Sequence, residues 1–547
     1  PVCFATDMPD TAPAAAADAP ARATLTALTS NAWGARASLL AISLLATLPV
    51  WIPPYPQMAD LPQHAAQVQL LRSLQDPAFS FAPLFHINWF TPYLAGYLLV
   101  YLLVPLLGIV GACKTVIALS VAATPLATAL LARETGADGR WAPLTVLGLY
   151  GFSFQWGFLN FLFAIPLGLA FLCLAARHAR APRWWTWPAL AVSSIALFFC
   201  HALVCALFCV IAGCWTIAAT RSMRATATRL APAALVVPVA AWWTLRTMGT
   251  SAAHREVMWD LGWVRTVDPY YRGLATGAGD GFLDGWGRLT GLFPRLLGVR
   301  PSLWVVALAV AAIALPLLAG AQPAWRRRAI IPLIISMLAI FLVPSTVFGA
   351  DYTYQRFTVF TLPFFLATLG SPTHAQRGRW ARRLVAVLVV AWIGFVSART
   401  VVFTQEARGF QTVLSQMEPR ARVLSMAFIR ESEGSLAPSF LHFGSWYSAL
   451  SEGVTDPSFA VTHVQLVLYK PESRPKAGIW GFEWQPWRFN WKEFEGWRYR
   501  YFLVHDTVDR SPFLAENSPC TLVLRARSVN WWLYERGPDC PATPSGR

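Results

Sequence analysis

An acid and a histidine four residues apart, Asp60 and His64, stand in the segment PPYPQMADLPQHAAQVQLLRSL, directly after the first long apolar run of the chain. A carboxylate at such a boundary suits one task well, accepting the proton of a hydroxyl as that hydroxyl attacks an electrophilic carbon. His64 lies one helical turn further on and shares the face of Asp60, where it would orient the carboxylate or bind phosphate. Gln57, three residues ahead of the acid, is a candidate substrate contact. The plainer reading of Asp60 is a helix N-cap in front of Leu61 and Pro62. Apolar positions at Ala65, Val68, Leu71 and Leu74 predict an amphipathic helix lying on the membrane surface.

A second group sits in GADYTYQRF, where Asp351, Tyr352, Tyr354 and Arg356 crowd a short loop between two apolar runs and are expected to face a cavity. The planar fork of donors on Arg356 fits a phosphate, and the bland alternative is snorkelling to ordinary lipid headgroups. Polar residues inside apolar stretches form a third group: His201 in FFCHALVC, and Gln155 and Asn160 in FSFQWGFLNF. Such groups are costly at membrane depth and tend to mark sites. In the polar, aromatic stretch 249–300, His254, Arg255, Glu256 and Asp260 are further candidates, with Arg255 and Glu256 taken as substrate contacts. The chain has no GxxxxGK[ST], GxSxG, HExxH or DxD motif, which removes support for ATP-driven transport and hydrolase chemistry. No Cys or His spacing suggests zinc.

The elements that must position these residues are set by composition. Of 547 residues 56% are hydrophobic and only 13% charged, with a mean hydropathy of +0.45, against about 25% charge in a soluble domain. The chain therefore reads as a polytopic α-helical membrane protein. Its net charge of +16 sits largely in Arg clusters between apolar runs (177–183, 221–229, 326–328, 377–383), a positive-inside pattern that needs no nucleic acid. Apolar segments fall at 37–54, 89–107, 112–131, 142–156, 158–176, 187–200, 202–219, 230–248, 301–320, 329–348, 358–370 and 384–401. Placing the later Arg clusters inside requires an odd number of crossings between the first outer loop and Arg221, so two segments must merge or one re-enter. The run 187–219, with His201 in its middle, is one place for this, the Arg residues at 177–183 argue against it, and the place is left open. The prediction is about eleven transmembrane helices, with the N-terminus cytoplasmic and outer loops at 55–88 and 249–300.

Residues 1–36 read as a disordered arm, starting at Pro1 in a processed, truncated or engineered way. Beyond 403 the composition turns polar, with β-like runs at 422–428, 464–469, 499–505, 521–525 and 531–534 that predict an extracytoplasmic α/β domain over 404–547. Cys520 and Cys540 stand alone in that tail, and a disulfide between them would mark an oxidising compartment. The other cysteines that lie in apolar runs read as inert core.

The layout resembles the GT-C superfamily of integral-membrane glycosyltransferases. The features that carry the resemblance are the first-loop acid in QMADLPQH, the segment YLAGYLLVYLLVPLLG running towards the basic ARETGADGR, and a later loop with Arg356 in DYTYQRF. It covers about residues 37–400, and the tail is similar to that of bacterial members with an outer α/β domain. The resemblance implies a polyprenyl-phosphate-linked sugar as donor, Asp60 as base and Arg356 at the lipid phosphate. Many members carry paired acids where this chain has Ala59 before a single Asp60, so a divalent cation is left open as a cofactor. The expectation is transfer of a sugar to a hydroxyl of a glycan, lipid or protein at the outer face of a bacterial inner membrane. The alternatives are a transporter or flippase of a lipid-linked substrate, and a non-catalytic assembly subunit.

Overall fold

The computed structural model describes residues 34–248, 257–258, 285–323, 327–347, 350–478, 481–516 and 518–540. The protein is a polytopic helical membrane protein whose C-terminal part folds around a five-stranded sheet. Among the described residues five helices are long and apolar enough to span a membrane: Gly34–Trp51, Leu94–Thr135, Leu159–Arg180, Ala202–Ala219 and Ala375–Leu414. A sixth span arises if Met223–Ala234 and Val236–Thr247, bent by 53°, count as one, and Thr186–Cys200, Leu303–Leu318 and Ala329–Leu342 are shorter apolar helices.

Two of the twelve apolar segments break into short buried pieces. Residues 142–156 fold into the short pieces Gly139–Thr145, Val146–Leu149 and Phe152–Gln155, and 358–370 into Phe357–Phe360 and Thr361–Leu366. Nearly all of their side chains are buried, so their apolar character serves the protein interior rather than lipid. The segments 89–107 and 112–131 merge into one helix of 42 residues, interrupted at Gly108, whose φ of 65° leaves the helical region. The run 187–219 does the opposite of merging. It breaks at His201, whose extended backbone (φ −169°, ψ 117°) ends one helix and starts the next.

The helix after the first span, Leu61–Ser73, corrects the expectation of an amphipathic surface helix. Eleven of its 13 residues are buried on all sides. It lies between the start of the Leu94–Thr135 helix and the C-terminal segment Trp446–Ser451. Its polar residues are satisfied by protein instead of water. Gln63 donates to the Pro457 carbonyl (2.7 Å) and accepts from the Phe459 N–H (2.9 Å), and Gln67 accepts from the Val467 N–H (2.8 Å). A glutamine that finds both partners on a backbone can be buried at little cost, and left unpaired it would be expensive.

The C-terminal sheet runs in the order 522–528, 531–536, 501–505, 422–427, 454–456, with parallel pairing of the Arg422–Ala427 strand to both its neighbours and antiparallel pairing elsewhere. Of the run 464–469 only Val467–Tyr469 is a strand, and it leaves the main sheet to pair antiparallel with Phe85–Ile87 of the first loop. One apolar core runs from the membrane helices into one face of the sheet through Phe403, Phe410, Phe440, Phe443 and Trp531, while Leu424, Phe502 and Trp532 pack a second core on the other face. Cys520 and Cys540 form a disulfide.

At the buried end of the sheet Asp456, with no exposed surface, accepts from Arg422 Nη2 (2.9 Å), Tyr469 Oη (3.0 Å) and Tyr499 Oη (3.1 Å). Removing the cation would strand a fully buried carboxylate. We expect Arg422→Ala to cost about 3–5 kcal/mol, read as a lowered thermal midpoint of the detergent-solubilised protein, and the joint Arg422→Met, Asp456→Leu replacement to cost less.

Candidate active site

Asp60 precedes the Leu61–Ser73 helix in the N-cap position, yet its side chain caps nothing. Its backbone is fixed from outside the helix, because the Asp60 N–H donates to the Trp156 carbonyl and the Ala59 N–H to the Gln155 carbonyl, both at 2.9 Å. The chain passes so close there that only glycine fits at position 157. A Cβ at Gly157 would stand 2.8 Å from the Leu61 nitrogen and 2.9 Å from the Asp60 nitrogen, and its φ of +80° lies in the left-handed region that favours glycine. Freed from capping, the Asp60 carboxylate meets His442, 382 residues away, with Oδ1 at 2.9 Å from Nδ1. The pair is nearly closed off from solvent, with 10% of the Asp60 side chain and 9% of the His442 side chain accessible.

His64 faces a different partner. Tyr97 Oη donates to Gln465 Oε1, so the hydroxyl must accept from His64 Nδ1–H at 2.6 Å, which leaves the His64 Nε2 lone pair free. Burial pushes the His64 imidazole down to about 4, the charge of Asp60 opposes this, and Arg356 and His442 add to it. His64 is thus neutral at pH 7. The ring of Phe459 stands edge-on between the two histidines, with centroids 5.6 Å from His64 and 5.2 Å from His442. Glu483 lies within electrostatic reach of both Asp60 and His442, and burial raises its carboxyl above the usual range.

Arg356 is buried, with its guanidinium 3.7 Å above the Phe158 ring and Nη2 donating to the Asp351 carbonyl at 2.8 Å. Its Nε is buried with no hydrogen-bond partner among the described residues. The charge of Arg356 is felt at both His64 and His201. The His201 ring rests against Tyr93 and Phe161, each at 5.2 Å, and its Nδ1 is likewise buried without a partner among the described residues. A buried cation and a buried imidazole with donor positions unused can bind an anion such as a phosphate. Beside them Trp156, Tyr352 and Trp484 form an aromatic wall, with Trp156 4.4 Å from Tyr352 and 6.2 Å from Trp484.

The structure brings Asp60, His64, His201 and Arg356 into one electrostatic cluster. It gives other candidates structural partners. Gln57 donates to Ser432 Oγ (3.1 Å), itself bonded to Glu406. Asp351 uses its carboxylate on Thr346 (2.7 Å) and its carbonyl on Arg356, so it holds the arginine in place. Tyr354 is packed under the guanidiniums of Arg288 (3.9 Å) and Arg295 (5.3 Å). Gln155 is a junction, accepting from Leu436 N–H (2.7 Å) and Ser435 Oγ (3.1 Å). Arg255 and Glu256, with His254 and Asp260, lie outside the described residues. Among the described residues no group of three or more His, Cys, Asp or Glu side chains is arranged to hold a metal ion.

His442 is the residue that sequence reasoning missed. It sits in SFLHFGSW, with nothing local to set it apart, and only the fold carries it to Asp60. The glutamines offered a faint signal, because Gln63 and Gln67 stand one turn apart in a helix that otherwise buries apolar side chains.

No family model matches the chain, and no curated protein matches it. Among solved structures it is similar to ArnT from Cupriavidus metallidurans, determined bound to undecaprenyl phosphate, at 12% identity and a TM-score of 0.48, over 91% of this chain and 97% of that one. It is also similar to the arabinofuranosyltransferase AftD from Mycobacteria, at 13% identity and a TM-score of 0.48, over 91% of this chain and 41% of that one.

The buried histidines make stability depend on pH. An unfolded His64 titrates near 6.5 and the folded one near 4, so between those values the unfolded state binds more protons. Stability is then complete above pH 6.5 and falls as the pH drops towards 4, by about 3 kcal/mol for a shift of this size. His505, also lowered to about 4 by burial, acts with the same sign. We expect His64→Gln to lose less thermal stability than the parent between pH 7 and pH 4.5, with the difference read from melting curves in detergent.

Proposed function

We propose that the protein is a membrane glycosyltransferase that moves a sugar from a polyprenyl-phosphate carrier to an acceptor hydroxyl. The observation that carries this reading is a buried, uncapped Asp60 carboxylate in one electrostatic cluster with Arg356, a buried cation with an unused donor. Asp60 takes the proton of the acceptor hydroxyl, whose oxygen attacks the anomeric carbon. The bond to the phosphate oxygen breaks, its electron pair leaves on the polyprenyl phosphate, and the anomeric configuration inverts. Arg356 offsets the charge that grows on the departing phosphate, and His201, within electrostatic reach of it, can donate a hydrogen bond there. His64, neutral at pH 7, offers its Nε2 lone pair to a substrate hydroxyl.

The aromatic wall of Trp156, Tyr352 and Trp484 suits the apolar face of a sugar ring. The resemblance to GT-C enzymes supports the same assignment of Asp60 and Arg356. The Cys520–Cys540 disulfide supports an extracytoplasmic C-terminal domain, over about 404–547, at a bacterial inner membrane. The transporter reading and the non-catalytic assembly reading require no buried base and tolerate its loss.

The test uses purified protein in lipid nanodiscs. Turnover is read as release of undecaprenyl phosphate from undecaprenyl-phosphate-linked pentoses and hexoses in the presence of cell-envelope extract. We expect Asp60→Asn to lower kcat about 100- to 10,000-fold while binding of undecaprenyl phosphate is kept. Arg356→Met should weaken that binding at least about tenfold, and Arg356→Lys should not restore it fully, because a point charge lacks the fork of donors. Full turnover by Asp60→Asn would remove Asp60 as the base.

A further inference from the structure

We propose that His442, from the C-terminal sheet domain, is a positioning residue for the reaction: it donates Nδ1–H to Asp60 Oδ1 and leaves Oδ2 as the carboxylate oxygen that accepts the substrate proton. This rests on the reading of Asp60 as the base. The geometry on both sides supports it. Nδ1 and Oδ1 are 2.9 Å apart, a charge-assisted hydrogen bond, and Oδ2 takes no hydrogen bond from any described residue. A carboxylate with both oxygens bonded would be a weak, misdirected base, whereas one with neither bonded would rotate freely.

The rest of the joint fixes the His442 ring in that role. Its edge packs on Phe459, whose N–H is held by Gln63 of the Asp60 helix, so the imidazole and the carboxylate are registered by the same side chain. The following residues Phe443 and Trp446 pack on Tyr55 at 5.6 and 5.1 Å, on the other side of Asp60 in the chain. Phe443 is fully buried among Phe403, Phe410 and Trp531. His442 is therefore anchored at its own ring and through the residues that follow it, by contacts that also anchor the first loop. The C-terminal domain is in this view part of the active site and not a lid over it. In the transfer step the proton of the acceptor hydroxyl goes to Oδ2, the Nδ1–H stays on His442, and the electron pair of the broken anomeric bond leaves on phosphate.

Three variants in the nanodisc assay above test the assignment. His442→Leu removes the donor, His442→Asn replaces Nδ1–H by an amide N–H at nearly the same place, and Asp60→Asn is the reference. We expect His442→Leu to lower kcat about 10- to 100-fold, as for loss of one hydrogen bond to a charged group, with KM within about threefold. His442→Asn should recover most of that loss. If His442→Leu keeps kcat within about twofold while Asp60→Asn abolishes turnover, the positioning role is overturned and the base assignment stands. If Asp60→Asn keeps turnover, the reading of the site fails first. A further readout is the ring ¹⁵N spectrum of histidine-labelled protein: a His442 ring with a proton on Nδ1 is expected, and protonation on Nε2 alone would overturn the proposal.

Discussion

The structure depends on a polar joint buried between two parts of the chain that are almost 400 residues apart. The helix Leu61–Ser73 buries eleven of its 13 residues, and its buried glutamines Gln63 and Gln67 are satisfied by the backbone at 457–467. Each of those amides would be costly to leave unpaired away from water. The joint is therefore specific: a shift of the C-terminal segment by one residue would strand at least two buried polar groups. Around it, the strand pair Phe85–Ile87 with Val467–Tyr469 and the ion pair of Arg420 with Asp76 at 2.6 Å extend the same seam. The exposed ion pair adds little energy, so the buried amides and the aromatic packing carry the seam.

The site inherits its character from that seam. Asp60 and its neighbour Ala59 are held by backbone hydrogen bonds to Trp156 and Gln155, and Oδ1 of the Asp60 carboxylate is held by His442. A buried carboxylate is tolerated only where donors and positive charge surround it, and here His442 and the nearby Arg356 provide both. The same closure drives His64 to its neutral form. Arg356 keeps an unused Nε in a place where such a group is expensive, which is the kind of local misfit that functional sites retain.

Much of the helical architecture was legible because lipid imposes its own composition. The spans at 37–54, 158–176, 202–219 and 384–401 each correspond to a long apolar helix, with ends shifted by some residues. The segments 142–156 and 358–370 carry the same apolar composition but are protein core, and hydropathy cannot tell a side chain that faces lipid from one that faces a neighbouring helix. In the tail, 422–428, 499–505 and 531–534 read as strands for the usual reason of β-branched and aromatic residues, and three residues at 454–456 were too few to register.

For the site, residue type and position determined that Asp60 stands just past the first span, that His64 follows one turn later, and that Arg356 and His201 interrupt apolar surroundings. Those facts are local, and local spacing is what a sequence displays directly. Tertiary structure alone decided that the helix after Asp60 is buried, that Asp60 caps nothing, that Asp351 and Gln57 are spent on structural partners, and that His442 completes the pair. Each of these depends on which distant backbone supplies a hydrogen bond, and a one-dimensional pattern of polar and apolar residues does not contain that pairing.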